Sequence, residues 1–226
     1  MDYAIDHIIL LVPDLPAYVT EFEQGSGVTP KYGGMQPNAK VANALVDLGN
    51  GAYLEILGQS PGDEVGPMTE RLRALPEPTV AWFALQSHDL DDHVKRLEAA
   101  GLEHSGVLRT NWESSERGLI DYYAVAAVNH GWGDQMPFYI DWHETPHPSS
   151  TSPGGITLSE FTVYHPDAEN LGVVYGQLGV NVEVKVSETA GYDLVLETPK
   201  GELSFSSRSN EPVFYIDTDD LAGGQQ

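Results

Sequence analysis

Apolar residues in this chain occur in short runs separated by polar segments, a pattern typical of strands and amphipathic helices. Residues 5–14 read Ile-Asp-His-Ile-Ile-Leu-Leu-Val-Pro-Asp, and the aliphatic side chains predict a buried strand that the Pro-Asp pair ends. The stretch 15–24 predicts a helix, and the apolar runs 44–48 and 52–57 predict two more strands. This first unit therefore reads as strand, helix and strands.

The same order of elements returns twice along the chain, as expected of an internal repeat. The second unit is predicted to have a strand, a helix and two strands, at residues 79–86, 90–100, 119–128 and 136–142. The third is predicted to have a strand, a helix and three strands, at residues 158–167, 168–178, 182–187, 192–197 and 202–206. A last apolar run, 213–221, is predicted to open a fourth unit.

These units predict an α+β fold with mixed β-sheets, made from repeated βαβββ modules. The segment 143–155 contains three prolines and two glycines and is the best candidate for a domain boundary. One domain is predicted at 1–150, with modules at about 1–60 and 79–144. The second, 151–226, would hold the third module and the opening strand of the fourth.

Two ionisable side chains interrupt otherwise apolar predicted strands. His7 lies in the middle of the first strand, and Glu55 lies in the strand at 52–57. A buried imidazole or carboxylate requires a partner, so both residues indicate a function or a specific polar contact. For an isolated histidine in a strand, a satisfied core position is the more common role.

Composition limits the classes of function. The chain has 226 residues, 41% of them hydrophobic, which is enough for one large or two small cores. It contains no cysteine, which excludes disulfides, thiolate metal sites and cysteine nucleophiles. No apolar run reaches the length of a membrane span, and the first residues lack a basic signal region, so a soluble cytoplasmic protein is expected.

The charge balance is unusual. Lys and Arg total 11 against 34 Asp and Glu, a formal net charge of −23. Such a surface repels nucleic acid and anionic membranes, so neither is expected as a partner. With five lysines in the chain, the composition resembles proteins of salt-accumulating halophiles and favours that origin over an acidic protein from ordinary salt.

Several short motifs carry a specific resemblance in their order and spacing. They are Ile5-Asp6-His7, Asn43, Tyr53-Leu54-Glu55, the run Pro137-Phe-Tyr-Ile-Asp-Trp142, His147-Pro148 and Val163-Tyr-His-Pro-Asp167. Over about residues 3–180 the chain resembles the glyoxalase-like domain group of the vicinal oxygen chelate superfamily. The resemblance implies paired modules that curl into a cup around a divalent metal, which substrates chelate through neighbouring oxygens. Its chemistries include adduct isomerisation, epimerisation, ring-cleaving oxygenation and thiol addition to antibiotics, and some members bind ligands without metal.

The resemblance also implies a site. Aligning the two modules makes Trp82 the position equivalent to His7. Matching Tyr53–Ile56 to Tyr139–Trp142 makes Asp141 the position equivalent to Glu55. His7, Glu55 and Asp141 are thus the predicted metal ligands, and Glu55 and Asp141 the predicted catalytic carboxylates. Trp82 departs from the pattern because indole does not bind metal. This donor set favours Mn, Fe or Mg, and leaves Zn, Ni or no metal open.

Three further residues are predicted to contact a small-molecule substrate. Asn43 would orient a substrate oxygen, Trp82 would form an apolar wall, and Arg117 would bind a substrate carboxylate. Their alternative roles are a loop contact, core packing and a surface ion pair, respectively. Asp6 is expected on the opposite face of its strand from His7, so no partner is assigned to the second imidazole nitrogen.

Two functions remain open from the sequence. The first is a divalent-metal-dependent lyase, isomerase or dioxygenase acting on a small oxygen-chelating substrate. The second is a metal-free protein that binds or sequesters a small molecule, in which His7 and Glu55 pair without metal. The third unit is expected to be structural, supporting the cup or mediating a homodimer; use of the whole fold as a partner subunit is a third alternative.

Overall fold

The computed structural model describes residues 3–36, 41–60, 67–209 and 211–213. The β-strands are β1 Ile5–Val12, β2 Lys31–Gln36, β3 Val41–Asp47, β4 Tyr53–Gly58, β5 Thr79–Gln86, β6 Glu103–His104, β7 Leu108–Ser114, β8 Gly118–Val128, β9 Phe138–Asp141, β10 Thr157–His165, β11 Glu183–Val186, β12 Gly191–Thr198 and β13 Gly201–Arg208. The α-helices are α1 Leu15–Ser26, α2 Pro67–Ala74, α3 Leu90–Ala99 and α4 Ala168–Leu178, and short 3-10 helices occupy Gly133–Gln135 and Pro148–Ser150. In this part of the chain no helix is long and apolar enough to cross a bilayer.

The predicted helices form where the capping residues indicate. The Asp14 carboxylate accepts a hydrogen bond from the Ala17 backbone N–H at 2.9 Å at the start of α1. Gly27 ends α1 in the left-handed conformation, which a residue with a Cβ adopts at a cost. Asp89 caps α3 in the same way, accepting from Asp92 N at 3.0 Å. Sequence-local chemistry therefore sets these helix boundaries.

Besides the two-residue β6, two strands arise where the sequence predicted none. β2 contains Gly33-Gly34 and lacks the apolar alternation of a half-buried strand. β7 lies between the predicted helix at 90–100 and the predicted strand at 119–128, and it pairs with β8 over its whole length. Both acquire strand structure from pairing with a neighbour, which local propensity does not reveal.

The main sheet is built from two halves with the same topology. Its strand order is β2-β3-β4-β1-β5-β9-β8-β6, with β7 also paired to β8. β1 and β5 pair antiparallel at the centre, β4 runs parallel to β1, and β9 runs parallel to β5. The α+β class with paired βαβββ modules and open, curled mixed sheets is therefore confirmed.

The two faces of the main sheet have different roles because side chains alternate along each strand. One face carries Ile8, Leu10 and Val12 of β1 into the core, together with Leu15 and Phe22 of α1. The opposite face lines the cup, and at one end Leu72 of α2 packs against Ile9, Leu11 and Leu57. The helices α1, α3 and α4 thus contribute to the core on the outside of the sheet, and α2 covers part of the inside.

The third unit keeps the predicted order of elements but not the strand order of the first two. In its sheet, β11-β10-β12-β13, the opening strand β10 lies between its second and third strands. In the first half, by contrast, the opening strand β1 pairs with the closing strand β4. The third unit is consequently not a structural copy of the cup modules.

Aromatic side chains join the third unit to the outer face of β5. Phe83 packs against Phe161 of β10 and Tyr192 of β12, with ring centroids 5.2 and 6.3 Å away. The Tyr175 and Tyr192 hydroxyls donate short hydrogen bonds to the backbone oxygens of Gln135 and Asp134. One cluster of buried side chains therefore spans all three units, while the division into domains at residue 150 stays a prediction. The predicted opening strand of a fourth unit, 213–221, lies outside the described residues apart from Val213.

Candidate functional site

A cavity of about 240 Å³ lies on the inner face of the main sheet. Both halves of the sheet line it, and most of the lining side chains are apolar or aromatic. The polar and charged side chains that line it are His7, Gln36, Asn43, Tyr53, Glu55, Ser105, Thr110, Arg117 and Tyr122. A concave apolar site with a few polar groups is the usual form of a small-molecule pocket.

His7 is held in one orientation by Asp6. The His7 Nδ1 atom lies 2.7 Å from Asp6 Oδ1. His7 is 3% exposed to solvent and Asp6 is 0% exposed. Burial alone would raise the pKa of Asp6, but hydrogen bonds from His147 and His7 outweigh it and hold that pKa below its ordinary value. An ionised acceptor at Nδ1 places the imidazole proton there and leaves the Nε2 lone pair facing the cavity.

The contact between neighbours 6 and 7 corrects the expectation that Asp6 faces away from the site. Strict alternation would place the two side chains on opposite faces. Between Ile5 and His7, however, β1 advances two residues while β5 advances one, from Leu85 to Ala84. This β-bulge re-aims the side chains, as bulges commonly do next to functional sites.

Glu55 lies opposite His7 and is anchored by two amide groups. Its Oε1 atom accepts hydrogen bonds from Gln36 Nε2 at 2.9 Å and Asn43 Nδ2 at 2.7 Å. Its Oε2 atom lies 3.7 Å from His7 Nε2. That distance is longer than a hydrogen bond, so both atoms keep a lone pair directed toward the same space.

Asn43 reaches Glu55 because residue 33 has no side chain. A Cβ atom on Gly33 would lie 2.4 Å from Asn43 Oδ1, closer than any real contact. Asn43 Oδ1 is buried and has no hydrogen-bond partner among the described residues. Asn43 was predicted to orient a substrate oxygen; its observed contact is with Glu55, and its role toward a substrate stays a prediction.

Tyr53 adds a neutral hydroxyl beside this pair. Its ring stacks on His7 with a centroid distance of 4.7 Å and an interplanar angle of 24°. Burial, reinforced by the negative charge of Glu55, raises the pKa of Tyr53 well above its ordinary value. The hydroxyl therefore stays protonated and can act as a donor.

The second half of the sheet presents aromatic side chains at the positions equivalent to His7 and Glu55. Across the central pair of strands, His7 pairs with Ala84 and Ile9 pairs with Trp82. The two halves are therefore related by an offset of 75 residues, which takes His7 to Trp82 (82 − 7) and Ile9 to Ala84 (84 − 9). Trp82 is thus the equivalent of His7, as predicted. Ile9 is beside Glu55 and Ala84 beside Phe138, which makes Phe138 the equivalent of Glu55. The Trp82 and Phe138 rings lie 4.5 Å apart in the cavity wall.

The predicted equivalence of Asp141 with Glu55 is therefore incorrect. Matching 55 to 141 instead of 138 shifts the register by three residues, and an odd shift turns every side chain to the other face of the sheet. Phe138, Ile140 and Trp142 line the cavity, and Asp141 does not. The Asp141 carboxylate instead accepts a hydrogen bond from His143 N at 2.8 Å.

The donor set at the cavity does not fit a resident divalent metal. Of the predicted ligands, His7 and Glu55 come together and Asp141 does not. Trp82 and Phe138 stand where two further donors would be, and resident ions usually have three or four protein ligands. Within the described ranges, no group of three or more His, Cys, Asp and Glu side chains is placed to hold a metal.

Arg117 lies at the cavity as predicted, in the turn between β7 and β8. Its guanidinium lies 5.5 Å from the Trp142 ring centroid and donates to Pro146 O at 3.4 Å. Burial lowers its pKa, and the negative charge of Glu55 acts in the opposite direction. Among the described residues no carboxylate lies within salt-bridge distance of it, so the predicted surface ion pair is not formed and the cation is available to a ligand.

Sequence reasoning missed several residues that shape the site, including Asp6, Gln36, Phe138 and His147. Asp6 and Phe138 depend on a bulge and a strand register, which leave no local sequence signal. Gln36 lies in a strand that was not predicted. His147 was noted within a family motif, but its contact with Asp6 spans 141 positions of sequence.

Comparison with known proteins agrees with this architecture. The sequence profile of the glyoxalase-like domain matches residues 5–178. No curated protein sequence matches the chain. A crystal structure of a hypothetical protein from Staphylococcus aureus matches with a TM-score of 0.59 and 15% identity, covering 92% of this chain and 86% of that one.

Two further solved structures are similar at low identity. A mutant of 4-hydroxymandelate synthase from Streptomyces coelicolor has a TM-score of 0.53 and 14% identity, covering 92% of this chain and 63% of its own. Methylmalonyl-CoA epimerase from Mycobacterium tuberculosis has a TM-score of 0.43 and 18% identity, covering 60% and 84% respectively. At such identities the likeness concerns the fold alone. With its profile match across most of the chain, this protein belongs to the glyoxalase-like domain family.

Proposed function

We propose that the cavity binds a small organic molecule with an apolar body and one anionic oxygen group, and that His7 and Glu55 move a proton on it, as in an isomerase or a lyase. The observation that carries the proposal is that His7 Nε2 and Glu55 Oε2 both direct a lone pair into the same part of the cavity. Asp6 fixes His7 so that Nε2 points to Glu55 Oε2, 3.7 Å away, at the polar end of an apolar cavity.

The geometry supports removal of a proton from a carbon next to a carbonyl group. Glu55 Oε2 takes the proton, the C–H electron pair becomes the C=C bond of the enolate, and the carbonyl π pair moves onto the ligand oxygen. The proton reaches His7 Nε2, 3.7 Å away, through one bridging water or ligand oxygen and is returned from there. The Gln36 and Asn43 amides hold the other Glu55 oxygen and fix the direction of Oε2. Positioned acid–base groups of this kind contribute about 10²–10⁴-fold to a rate.

The remaining lining residues match the two parts of such a ligand. Arg117 supplies a cation for a carboxylate or an enolate oxygen, and Tyr53 supplies a neutral donor. Trp82, Phe138 and Trp112 form the apolar wall for an aromatic or aliphatic body. An aromatic 2-oxo acid combines all these features.

Deuterium incorporation tests the proposal. In D₂O the protein is mixed with phenylpyruvate, and loss of the benzylic proton signal is followed by NMR and compared with the spontaneous rate. We expect Glu55→Gln to reduce the catalysed rate by at least about 100-fold. The matched control is Asp141→Asn, which removes a carboxylate outside the cavity and should leave the rate within about twofold. Wild-type exchange no faster than buffer would overturn the enzymatic proposal.

The metal-dependent alternative is tested in the same assay. Because the donor set does not fit a resident metal, protein dialysed against EDTA is expected to keep its exchange rate. A loss of rate that Mn²⁺ or Zn²⁺ restores would favour the predicted metal-dependent enzyme over the metal-free mechanism.

A second candidate is binding without turnover. It is favoured by Trp82 and Phe138, which give the second half of the cavity an aromatic wall and no acid–base group. Calorimetry separates the two candidates. A binding protein would retain phenylpyruvate with equal affinity in wild type and Glu55→Gln and would show no exchange in either.

A further inference from the structure

The Asp6 carboxylate connects the candidate site to the segment that follows β9. On one side, Asp6 Oδ1 accepts hydrogen bonds from His7 Nδ1 at 2.7 Å and Trp142 Nε1 at 3.2 Å. On the other, Asp6 Oδ2 lies 2.9 Å from His147 Nε2. Asp6 is fully buried, so these donors replace its hydration.

The contacts of His147 determine which of its nitrogens carries the proton. Ser149 N lies 3.2 Å and Ser149 Oγ 2.8 Å from His147 Nδ1. The backbone N–H can only donate, so Nδ1 is an acceptor and the proton resides on Nε2, from which it is donated to Asp6. The Gln86 amide nitrogen also lies 3.3 Å from His147 Nε2, and its shorter hydrogen bond is donated to Gly51 O at 3.0 Å. Both imidazoles therefore donate to the Asp6 carboxylate, His7 from Nδ1 and His147 from Nε2.

The chain of Ser149, His147 and Asp6 has the residue types of a nucleophile triad, but its geometry indicates another role. Ser149 does not line the candidate cavity. Its own backbone N–H also engages the nitrogen that would have to remove the hydroxyl proton. What the chain does reach is His7, through the shared carboxylate.

We propose that His147 is a positioning residue that keeps the His7 imidazole in the tautomer with a free Nε2. Its catalytic meaning rests on the proposed function, whereas the tautomer itself can be measured without any ligand. Without the His147 donor, one oxygen of a buried carboxylate would lose its partner, and the proton affinity of Asp6 would rise. Asp6 would then keep the shared proton as a neutral carboxyl group, and the pair would take up one further proton from solvent on His7 Nε2, where it blocks the lone pair.

The other ionisable groups around His7 are Glu55 and Tyr53 from β4, with Tyr122 of β8 and Arg117 of the β7–β8 turn across the cavity. Two of them also touch the segment of His147: the Tyr53 ring centroid lies 5.6 Å from the His147 ring centroid, and Arg117 donates to Pro146 O. Both His147→Leu and His147→Gln remove the ring that packs on Tyr53, so a tautomer response seen in His147→Leu alone is assigned to the loss of the donor to Asp6. The charge of Glu55 acts in all variants alike.

The test is ¹⁵N NMR of histidine-labelled protein at neutral pH, with the thermal midpoint recorded for each variant. Wild type should show His7 with Nδ1 protonated. His147→Leu should place most of the His7 population in the Nε2-protonated form and lower phenylpyruvate exchange at least about tenfold. His147→Gln, which retains an N–H donor, should keep the wild-type tautomer and stay within about threefold of the wild-type rate.

Ser149→Ala keeps the assay decisive if His147→Leu fails to fold. It leaves the Asp6 contacts in place but removes one donor from His147 Nδ1, and it should raise the Nε2-protonated fraction of His7 measurably. A wild-type His7 protonated on Nε2 would overturn the proposal. An unchanged His7 tautomer in both His147→Leu and Ser149→Ala would also overturn it. If His147→Leu does not fold, an unchanged tautomer in Ser149→Ala is sufficient to overturn it. A tautomer shift without any wild-type exchange would leave the positioning role standing and reject the proposed function.

Discussion

The two halves of the main sheet share a topology and differ in what they present to the cavity. Equivalent positions hold His7 and Glu55 in the first half and Trp82 and Phe138 in the second. The outer face of both halves carries the common core, which constrains its residues to be apolar. The part of the inner face that lines the cavity is free of that constraint, so the same backbone presents an imidazole and a carboxylate in one half and an aromatic wall in the other.

Restoring the donors in the second half is the strongest way to break this difference. Trp82→His with Phe138→Glu places an imidazole and a carboxylate opposite His7 and Glu55, which completes a four-ligand site. Affinity for Zn²⁺, measured by calorimetry, is expected to rise on the order of 1000-fold, because two added ligands contribute about 4 kcal/mol.

The control for this prediction keeps the positions and omits the donors. Trp82→Phe with Phe138→Leu should leave the Zn²⁺ affinity at the wild-type level. If the double donor variant folds and gains no affinity, the register equivalence of the two halves does not translate into convergent side chains.

A second contrast concerns the two faces of the sheet and predicts an acid-sensitive core. His7 on the inner face has a partner, whereas His93 is fully buried against Tyr139, and neither of its ring nitrogens has a hydrogen-bond partner among the described residues. Burial, with a smaller contribution from Arg96, lowers the pKa of His93 from 6.5 to about 4. Below pH 6.5 the unfolded chain binds a proton there that the folded chain excludes, so stability present above pH 6.5 is lost progressively down to about pH 4.

Denaturant unfolding at pH 7 and pH 4 measures this effect. His93→Leu should remove up to about 3 kcal/mol of the acid destabilisation. The control is His88→Leu, because His88 is exposed and the variant should follow the wild-type pH profile. An equal loss of stability in wild type and His93→Leu would show that the acid sensitivity arises elsewhere.

Arg117 belongs to the second half of the sheet and is a charged side chain in the cavity lining. Replacing it tests whether the ligand is anionic. Arg117→Gln is expected to weaken phenylpyruvate binding about 30-fold, corresponding to roughly 2 kcal/mol for a charge-assisted contact. Arg109→Gln is the matched control on the same hairpin, since Arg109 already pairs with Asp121 at 2.8 Å. Equal, small effects of both substitutions would place the ligand carboxylate away from Arg117.

The smallest effect concerns the acidic surface that all units share. With a net charge of −23, screening by KCl should raise the thermal midpoint by about 5 °C between 0.1 and 2 M, or roughly 1–2 kcal/mol. Differential scanning calorimetry measures it, with 2 M sucrose in low salt as the uncharged comparison. A midpoint that does not depend on KCl would reject a halophilic origin.

The sequence by itself determined the features that depend on neighbouring residues. Asp14, Gly27 and Asp89 mark helix ends through local hydrogen bonds and backbone conformation. Strand periodicity identified the recurring order of elements, and an isolated His7 and Glu55 in apolar strands marked the polar end of the cavity. Each of these signals is contained within about ten residues.

Tertiary structure decided what depends on pairing between distant strands. A single bulge turned Asp6 toward His7, and the register of β9 on β5 chose Phe138 over Asp141 for the cavity. Long-range pairing also made strands of β2 and β7, which supply Gln36 and Trp112. The physical reason is the two-residue period of a strand: a shift of one or three residues costs little in local preference but exchanges the two faces of the sheet.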